Sequence, residues 1–222
     1  AAHQIVSRGI AKQVKVLVTA EERATSAAGL DFAGLNVTFI DYLRSPEAEA
    51  LAQRLQAIRA HKGLTLEQAR QLIRDRLYFG NTMLRDGQAD GLVAGSIAST
   101  PDMVRCAFQV IGTAAGIKVG SSCFVMDLVH PTPGGDSVLL YADSGVNPNP
   151  TAEQLVDIAL ATARTYKALL GGQPRVAFLS FSTRGSAKHD LVDKMLRATE
   201  LTRRRVAELK LDIAVDGELQ AD

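Results

Sequence analysis

Apolar positions recur along this chain in two patterns. Short runs rich in β-branched residues lie at 14–19, 36–41, 90–95, 122–129, 137–142, 175–181 and 211–215, and runs of that length predict buried strands. Longer amphipathic stretches lie between most of them, each opened by a start signal. Ser45-Pro46 precedes 47–61, Thr65 forms a capping box with Gln68, Thr100-Pro101 precedes 103–112, and Thr151 with Gln154 opens the stretch that ends at Leu170. Strand alternating with helix predicts an α/β fold with mainly parallel sheets. One interval departs from that order, because only His130-Pro-Thr-Pro-Gly-Gly-Asp136 separates two strand patterns, which predicts an antiparallel hairpin. Glycines at 112, 116 and 120 lie just before it, where the chain can leave one sheet and start another. The expected organisation is therefore two three-layer αβα domains, 1–110 and 111–222, the second containing the hairpin. The chain opens within a helical pattern and closes on Asp216-Gly-Glu-Leu-Gln-Ala-Asp222 straight after a predicted strand. Both ends read as cut.

Composition narrows the class. With 222 residues, 46% of them hydrophobic and 22% charged, the chain can bury a proper core, so global disorder is excluded. Its formal net charge of +1 argues against a dedicated nucleic-acid binder, which shows a basic excess or stripe. The absence of Trp and the 5% aromatic content leave no stacking surface for single strands. Cys106 and Cys123 sit in apolar segments, as expected of buried thiols in a reducing compartment. His3, His61, His130 and His189 form no i,i+3 or i,i+4 pair, so no metal site is expected. No apolar run approaches the ~18–20 residues that span a bilayer, and Ala1-Ala2-His3-Gln4-Ile5 lacks the pattern of a signal peptide. A soluble cytoplasmic protein with no membrane partner is expected.

Candidate chemistry lies in two loops built on one plan, a strand pattern running into a Gly, Ser and Thr turn that opens a helix. In Gly91-Leu-Val-Ala-Gly-Ser-Ile-Ala-Ser-Thr-Pro-Asp-Met-Val-Arg105, Ser99 and Thr100 offer hydroxyls at a helix start, whose free N–H groups and dipole attract anions. Arg105 lies a turn and a half further on, and its side chain leans back toward that end, within reach of a bidentate grip on phosphate. The plain alternative is that Ser99 and Thr100 are ordinary caps and Arg105 is solvated. In Leu179-Ser-Phe-Ser-Thr-Arg-Gly-Ser-Ala-Lys188, Ser180, Ser182, Thr183, Gly185 and Ser186 exceed what a turn requires. Arg59, His61 and Lys62 end a helix before Gly63, a position where cations complement the dipole. Thr202-Arg-Arg-Arg205 reads as a solvated helix face. The segment Asp143-Ser-Gly-Val-Asn-Pro-Asn-Pro150 either lines a cleft or is a turn. There is no G-x-S-x-G nucleophile elbow, so no catalytic residue is assigned from spacing.

Five ordered segments carry a resemblance. Arg59-Ala-His-Lys-Gly-Leu-Thr65, Ala89-Asp-Gly-Leu-Val-Ala-Gly95 with Ser99-Thr-Pro-Asp-Met-Val-Arg105, Ala142-Asp-Ser-Gly-Val-Asn-Pro-Asn-Pro-Thr-Ala-Glu-Gln154, Leu179-Ser-Phe-Ser-Thr-Arg-Gly-Ser186 and Asp216-Gly-Glu-Leu-Gln220 together resemble the phosphate acetyltransferase family, within the phosphate acetyl/butyryltransferase superfamily. The resemblance covers nearly the whole chain. It implies two α/β domains with the active site in the cleft between them, usually in a homodimer. It also implies acyl transfer between CoA and phosphate by attack of the CoA thiolate on acetyl phosphate, without a cofactor beyond CoA or acetyl-CoA as substrate. The family's phosphate-gripping arginine falls on Arg105, with Ser99 and Thr100 as its hydroxyl pair, and the arginine associated with CoA falls on Arg59. The family's opening L-P-E-G-like segment and its S-R-G-C-S-like motif, which supplies a serine and a second arginine with an aspartate nearby, have no counterpart here. The resemblance therefore carries binding residues and leaves the catalytic ones unknown. It also leaves room for a phosphate butyryltransferase, or for an acetyl-CoA-sensing domain like those fused behind malic enzymes.

Overall fold

A computed structural model describes residues 1–132, 134–135 and 137–221. Pro133 and Asp136 of the expected hairpin loop, and the final Asp222, lie outside the described residues. The chain divides into two compact units, Ala1–Gly112 and Thr113–Asp222, each considered by itself.

The first unit runs α1 (Ala2–Ser7), β1 (Val14–Leu17), α2 (Ala20–Ser26), β2 (Val37–Ile40), α3 (Ala48–Arg59), a 3-10 turn (Ala60–Lys62), α4 (Leu66–Ile73), α5 (Arg76–Arg85) and α6 (Thr100–Val110). β1 and β2 pair in parallel, Val14 opposite Val37 through Leu17 opposite Ile40. The buried core lies among the helices. Leu51, Ala52 and Leu55 on one face of α3 meet Ala69 and Ile73 of α4, Phe79 and Met83 of α5, and Cys106 and Val110 of α6. Fully burying a side chain such as Phe79 contributes about 2–3 kcal/mol. The helices start where local chemistry satisfies their free N–H groups. The Thr65 hydroxyl accepts from the Gln68 N–H while the Gln68 side chain accepts from the Thr65 N–H, and Asp75 accepts from the N–H groups of Leu77 and Tyr78. A third capping box, Thr19 with Glu22, opens α2. That helix and α5 were not singled out by the apolar pattern, although both carry cap signals.

The second unit runs β3 (Cys123–Asp127), β4 (Val138–Ala142), α7 (Ala152–Leu170), β5 (Arg175–Leu179), α8 (Asp190–Glu208) and β6 (Ala214–Leu219). β3 and β4 form the expected antiparallel pair, and β5 pairs with β6 in parallel. Among the described residues each sheet has two strands, two pairs being parallel and one antiparallel. α7 opens on the Thr151–Gln154 capping box and stops at Gly171, whose left-handed φ of 74° ends the helix. One face of α7, with Leu155, Ile158 and Ala159, packs on Phe178 and Ala198. Val156 and Leu160 meet Ile117 on another.

Three expectations are corrected. The run 90–95 is loop, not strand: among the described residues no strand pairs with it, and Val93 stands 96% exposed. The last strand begins at Ala214, later than 211–215 suggested, and runs through the Asp216-Gly-Glu-Leu motif itself. α6 is capped by Ser99, leaving Thr100 and Pro101 inside its first turn, where the missing proline N–H costs nothing.

Candidate functional site

In the first unit, Ser99, Thr100 and Arg105 gather at the start of α6. The Ser99 hydroxyl accepts from the Asp102 N–H at 3.3 Å and donates to the Asp102 carboxylate at 2.6 Å. Asp102 also accepts from Arg105 at 3.2 Å, so the positive end of the helix carries a carboxylate of its own. That ion pair is open to water, with 62% of the Arg105 side chain and 53% of the Asp102 side chain accessible. Such pairs contribute only about 0–1 kcal/mol, so the guanidinium is only weakly held.

Arg59, in the last turn of α3, lines a cavity of about 280 Å3 together with Lys62, Gln68, Tyr78 and Gln109. Gly63 takes the left-handed turn at φ 75° that lets the chain reverse into the Thr65 cap. Arg44, Arg54, Arg70 and Arg76 of this unit each pair with a carboxylate. Arg59 and Lys62 have no such partner among the described residues. The Tyr78 hydroxyl, on α5, donates to Gln109 Oε1 at 2.6 Å. Burial pushes the Tyr78 phenol up, and the guanidinium groups of Arg105 and Arg59 pull against it.

In the second unit, the 179–188 loop spends most of its side-chain hydroxyls on itself. Ser182 is fully buried; its Oγ accepts from the Ala187 N–H at 3.0 Å and meets Ser186 Oγ at 3.2 Å. Burial makes Ser182 a support of the loop in this structure, not a surface group. Ser186 Oγ accepts from the Thr183 N–H, and Ser180 Oγ accepts from the Ser182 N–H. The loop is fastened to β6 by a buried carboxylate, since Glu218 accepts from the Gly185 N–H at 3.0 Å and Thr183 Oγ1 accepts from the Gln220 N–H at 2.9 Å. Asp216 accepts from the Gly217 N–H and from Arg203 and Arg184. The backbone bond first, and then the two arginines, hold its carboxyl below the usual range against some desolvation. The start of α8 is occupied as well: His189 Nδ1 accepts from the Leu191 N–H, and Asp190 and Asp193 fill the first turn. Of the loop's candidate residues, Gly185 and Ser186 are exposed, Ser180 and Thr183 half-buried and Ser182 buried.

Asp143 closes the 143–150 segment as a turn. Its two oxygens accept from the Ser122 N–H and hydroxyl, both at 2.8 Å, from the Val146 N–H at 3.1 Å, and from the Asn147 N–H and side chain. The carboxylate is consumed in closing the loop. Glu218, Asp143, Tyr78 and Gln109 were not singled out as functional from sequence, although Glu218 and Asp143 lie inside the quoted motifs. Among the described residues no three His, Cys, Asp or Glu side chains converge as metal ligands. Among the described residues no helix is long and apolar enough to cross a membrane.

The family profile described as Phosphate acetyl/butaryl transferase matches residues 1–222. The phosphate acetyltransferase of Thermoanaerobacterium thermosaccharolyticum is 46% identical over 222 residues, covering 100% of this chain and 66% of its own length. That of Clostridium acetobutylicum is 41% identical over 225 residues, covering 100% and 65%. Among solved structures, a phosphotransacetylase from Streptococcus pyogenes matches 100% of this chain and 64% of its own at 35% identity with a TM-score of 0.82. The EutD phosphotransacetylase from Staphylococcus aureus matches 93% and 61% at 35% identity with a TM-score of 0.77. The chain thus spans slightly less than two thirds of the length of these relatives.

Proposed function

The chain belongs to the Phosphate acetyl/butaryl transferase family, and on that footing we propose that it serves a phosphate acetyltransferase. The reaction is acetyl-CoA + phosphate ⇌ acetyl phosphate + CoA. In the CoA-acetylating direction the thiolate attacks the carbonyl carbon of acetyl phosphate. A C–S bond forms, the C–O bond to phosphate breaks, and phosphate leaves with the electron pair. The observation that carries this reading is the cavity in the first unit lined by Arg59 and Lys62, neither paired with a carboxylate among the described residues. Both substrates are anions, and fixed guanidinium groups meet their charge without reorganising at the moment of reaction.

Arg105, with Ser99 and Thr100, takes the phosphoryl group. Arg59 takes CoA. In the second unit the exposed Gly185 and Ser186 are the ligand-facing part of the loop, while Ser180, Ser182 and Thr183 shape it. None of these residues is assigned to proton transfer; a CoA thiol with a free pKa of about 8.5 needs a base or positive field to ionise. Holding thiolate and acyl phosphate side by side supplies rate through proximity and orientation. The protein acts in the cytoplasm as a homodimer.

Incubation with acetyl-CoA and phosphate, followed by thiol titration and acetyl phosphate assay, tests the reading. Phosphate-dependent release of CoA matched by acetyl phosphate is expected. Saturable acetyl-CoA binding without that release would overturn it in favour of an acetyl-CoA sensor, and preference for butyryl over acetyl phosphate in competition would overturn the acyl assignment.

A further inference from the structure

We propose that Gln109 is a further contact for the anionic part of CoA, its carboxamide N–H turned into the Arg59–Lys62 cavity by the hydrogen bond that Tyr78 donates to its oxygen. This rests on the reading that the cavity takes CoA.

A carboxamide can present either an acceptor or a donor, and which one faces a ligand depends on what holds the other end. Tyr78, Gln109, Arg59 and Lys62 line one cavity. The Tyr78 hydroxyl donates to Gln109 Oε1 at 2.6 Å. A phenol ordinarily titrates near 10 and burial pushes this one further up, so the donor is present at neutral pH. With Oε1 occupied, the amide N–H group is left, and it has no partner among the described residues. The polar groups offered by Arg59, Lys62 and Gln109 are then all donors. A wall of donors suits an anion and leaves a neutral ligand with unmatched contacts.

Gln109 also stands four residues after Arg105 on α6, hence on the same helix face. The helix that starts at the phosphate-binding Ser99 thus also reaches the CoA cavity, and Tyr78 ties it to α5.

Steady-state kinetics on the natural protein and its variants test this, with calorimetric titration of CoA as a readout independent of turnover. Gln109→Met, which keeps volume and removes the donor, is expected to raise KM for CoA about 3- to 10-fold with kcat within 2-fold. Gln109→Glu, which places an anion against the ligand, is expected to raise it further. Tyr78→Phe, which frees the amide to rotate, is expected to raise KM for CoA in the wild-type background and to add nothing to Gln109→Met. A purely supporting role for the pair would lower the melting temperature and the active fraction while leaving KM unmoved. Unchanged CoA affinity in Gln109→Met and Gln109→Glu, beside normal binding by the wild type, overturns the inference alone. Absence of CoA binding by the wild type overturns it together with the functional reading.

Discussion

Replacing Asp143 by Asn isolates what one carboxylate does for the second unit. Its Oδ1 accepts from the Ser122 N–H and hydroxyl, and its Oδ2 from Val146 and twice from Asn147. An amide can serve one of these groups but not both, so at least two donors face an N–H2 group. Partial burial pushes the carboxyl up, but the bonds from Ser122 and Asn147 outweigh it and hold it at about 2 against an ordinary 3.8. Each pKa unit is worth about 1.4 kcal/mol, so the charged form stabilises the fold by at most about 2.5 kcal/mol, and by nearer 1 kcal/mol once contact with water is allowed for. The sign is that of a depressed acid. The contribution is complete above the unfolded pKa near 4 and is lost as pH falls through the folded value near 2. Urea unfolding at pH 7 should show Asp143→Asn shifted by roughly 0.3–1 M, taking a slope of about 1–3 kcal/mol per M. The gap to wild type should narrow steadily from pH 5 to pH 2. A shift below about 0.2 M at pH 7, or a gap that stays constant down to pH 2, would refute the reasoning, because the carboxylate would then not be the group that closes the loop.

Arg105→Ala should weaken acetyl phosphate and phosphate handling about 10- to 100-fold in KM, and Arg105→Lys should recover little because the fork is lost; unchanged constants for the alanine variant would remove Arg105 from the site. Arg59→Ala should raise KM for CoA more than that for acetyl phosphate, and the reverse ratio would mean the two arginines are exchanged. A methyl group at Gly217 would overlap Thr199 Oγ1 and come within 2.8 Å of Phe178 Cβ, so Gly217→Ala should cost about 1–3 kcal/mol. Thr199→Ala should relieve only part of that cost in the double variant, and calorimetric melting checks both. Burial pushes the Cys106 thiol up to about 12, so iodoacetamide at pH 8 should label Cys123 in the native protein and reach Cys106 only after unfolding, as peptide mass mapping would reveal.

What could be read from the residues alone was local. The capping boxes at Thr65 and Thr151 fix where α4 and α7 start, because a side chain three residues away completes them without tertiary help. The short loop between β3 and β4 implied an antiparallel pair, since a connection that short cannot return a strand in parallel. Five motifs in order pointed to the family, because motif spacing survives where packing details vary. The run 90–95 shows the limit: its composition suits a strand, but a strand exists only where a neighbour supplies ladder partners.

Tertiary structure decided which polar groups remain available. Ser182 and Ser186 look alike in the sequence, yet one is sealed inside the loop by Ala187 while the other stays exposed. Glu218 reads as one more acidic residue near the end of the chain. It is a buried anchor because β6 runs beside β5 and brings it under Gly185. Arg59 reads as a partner of its helix dipole, and only the packing of α3, α5 and α6 places it beside Tyr78 and Gln109. Backbone propensity and capping act over a few residues and are written in sequence order. Burial, pairing and the field at a site depend on residues that are far apart in the chain, so they exist only once the fold has formed.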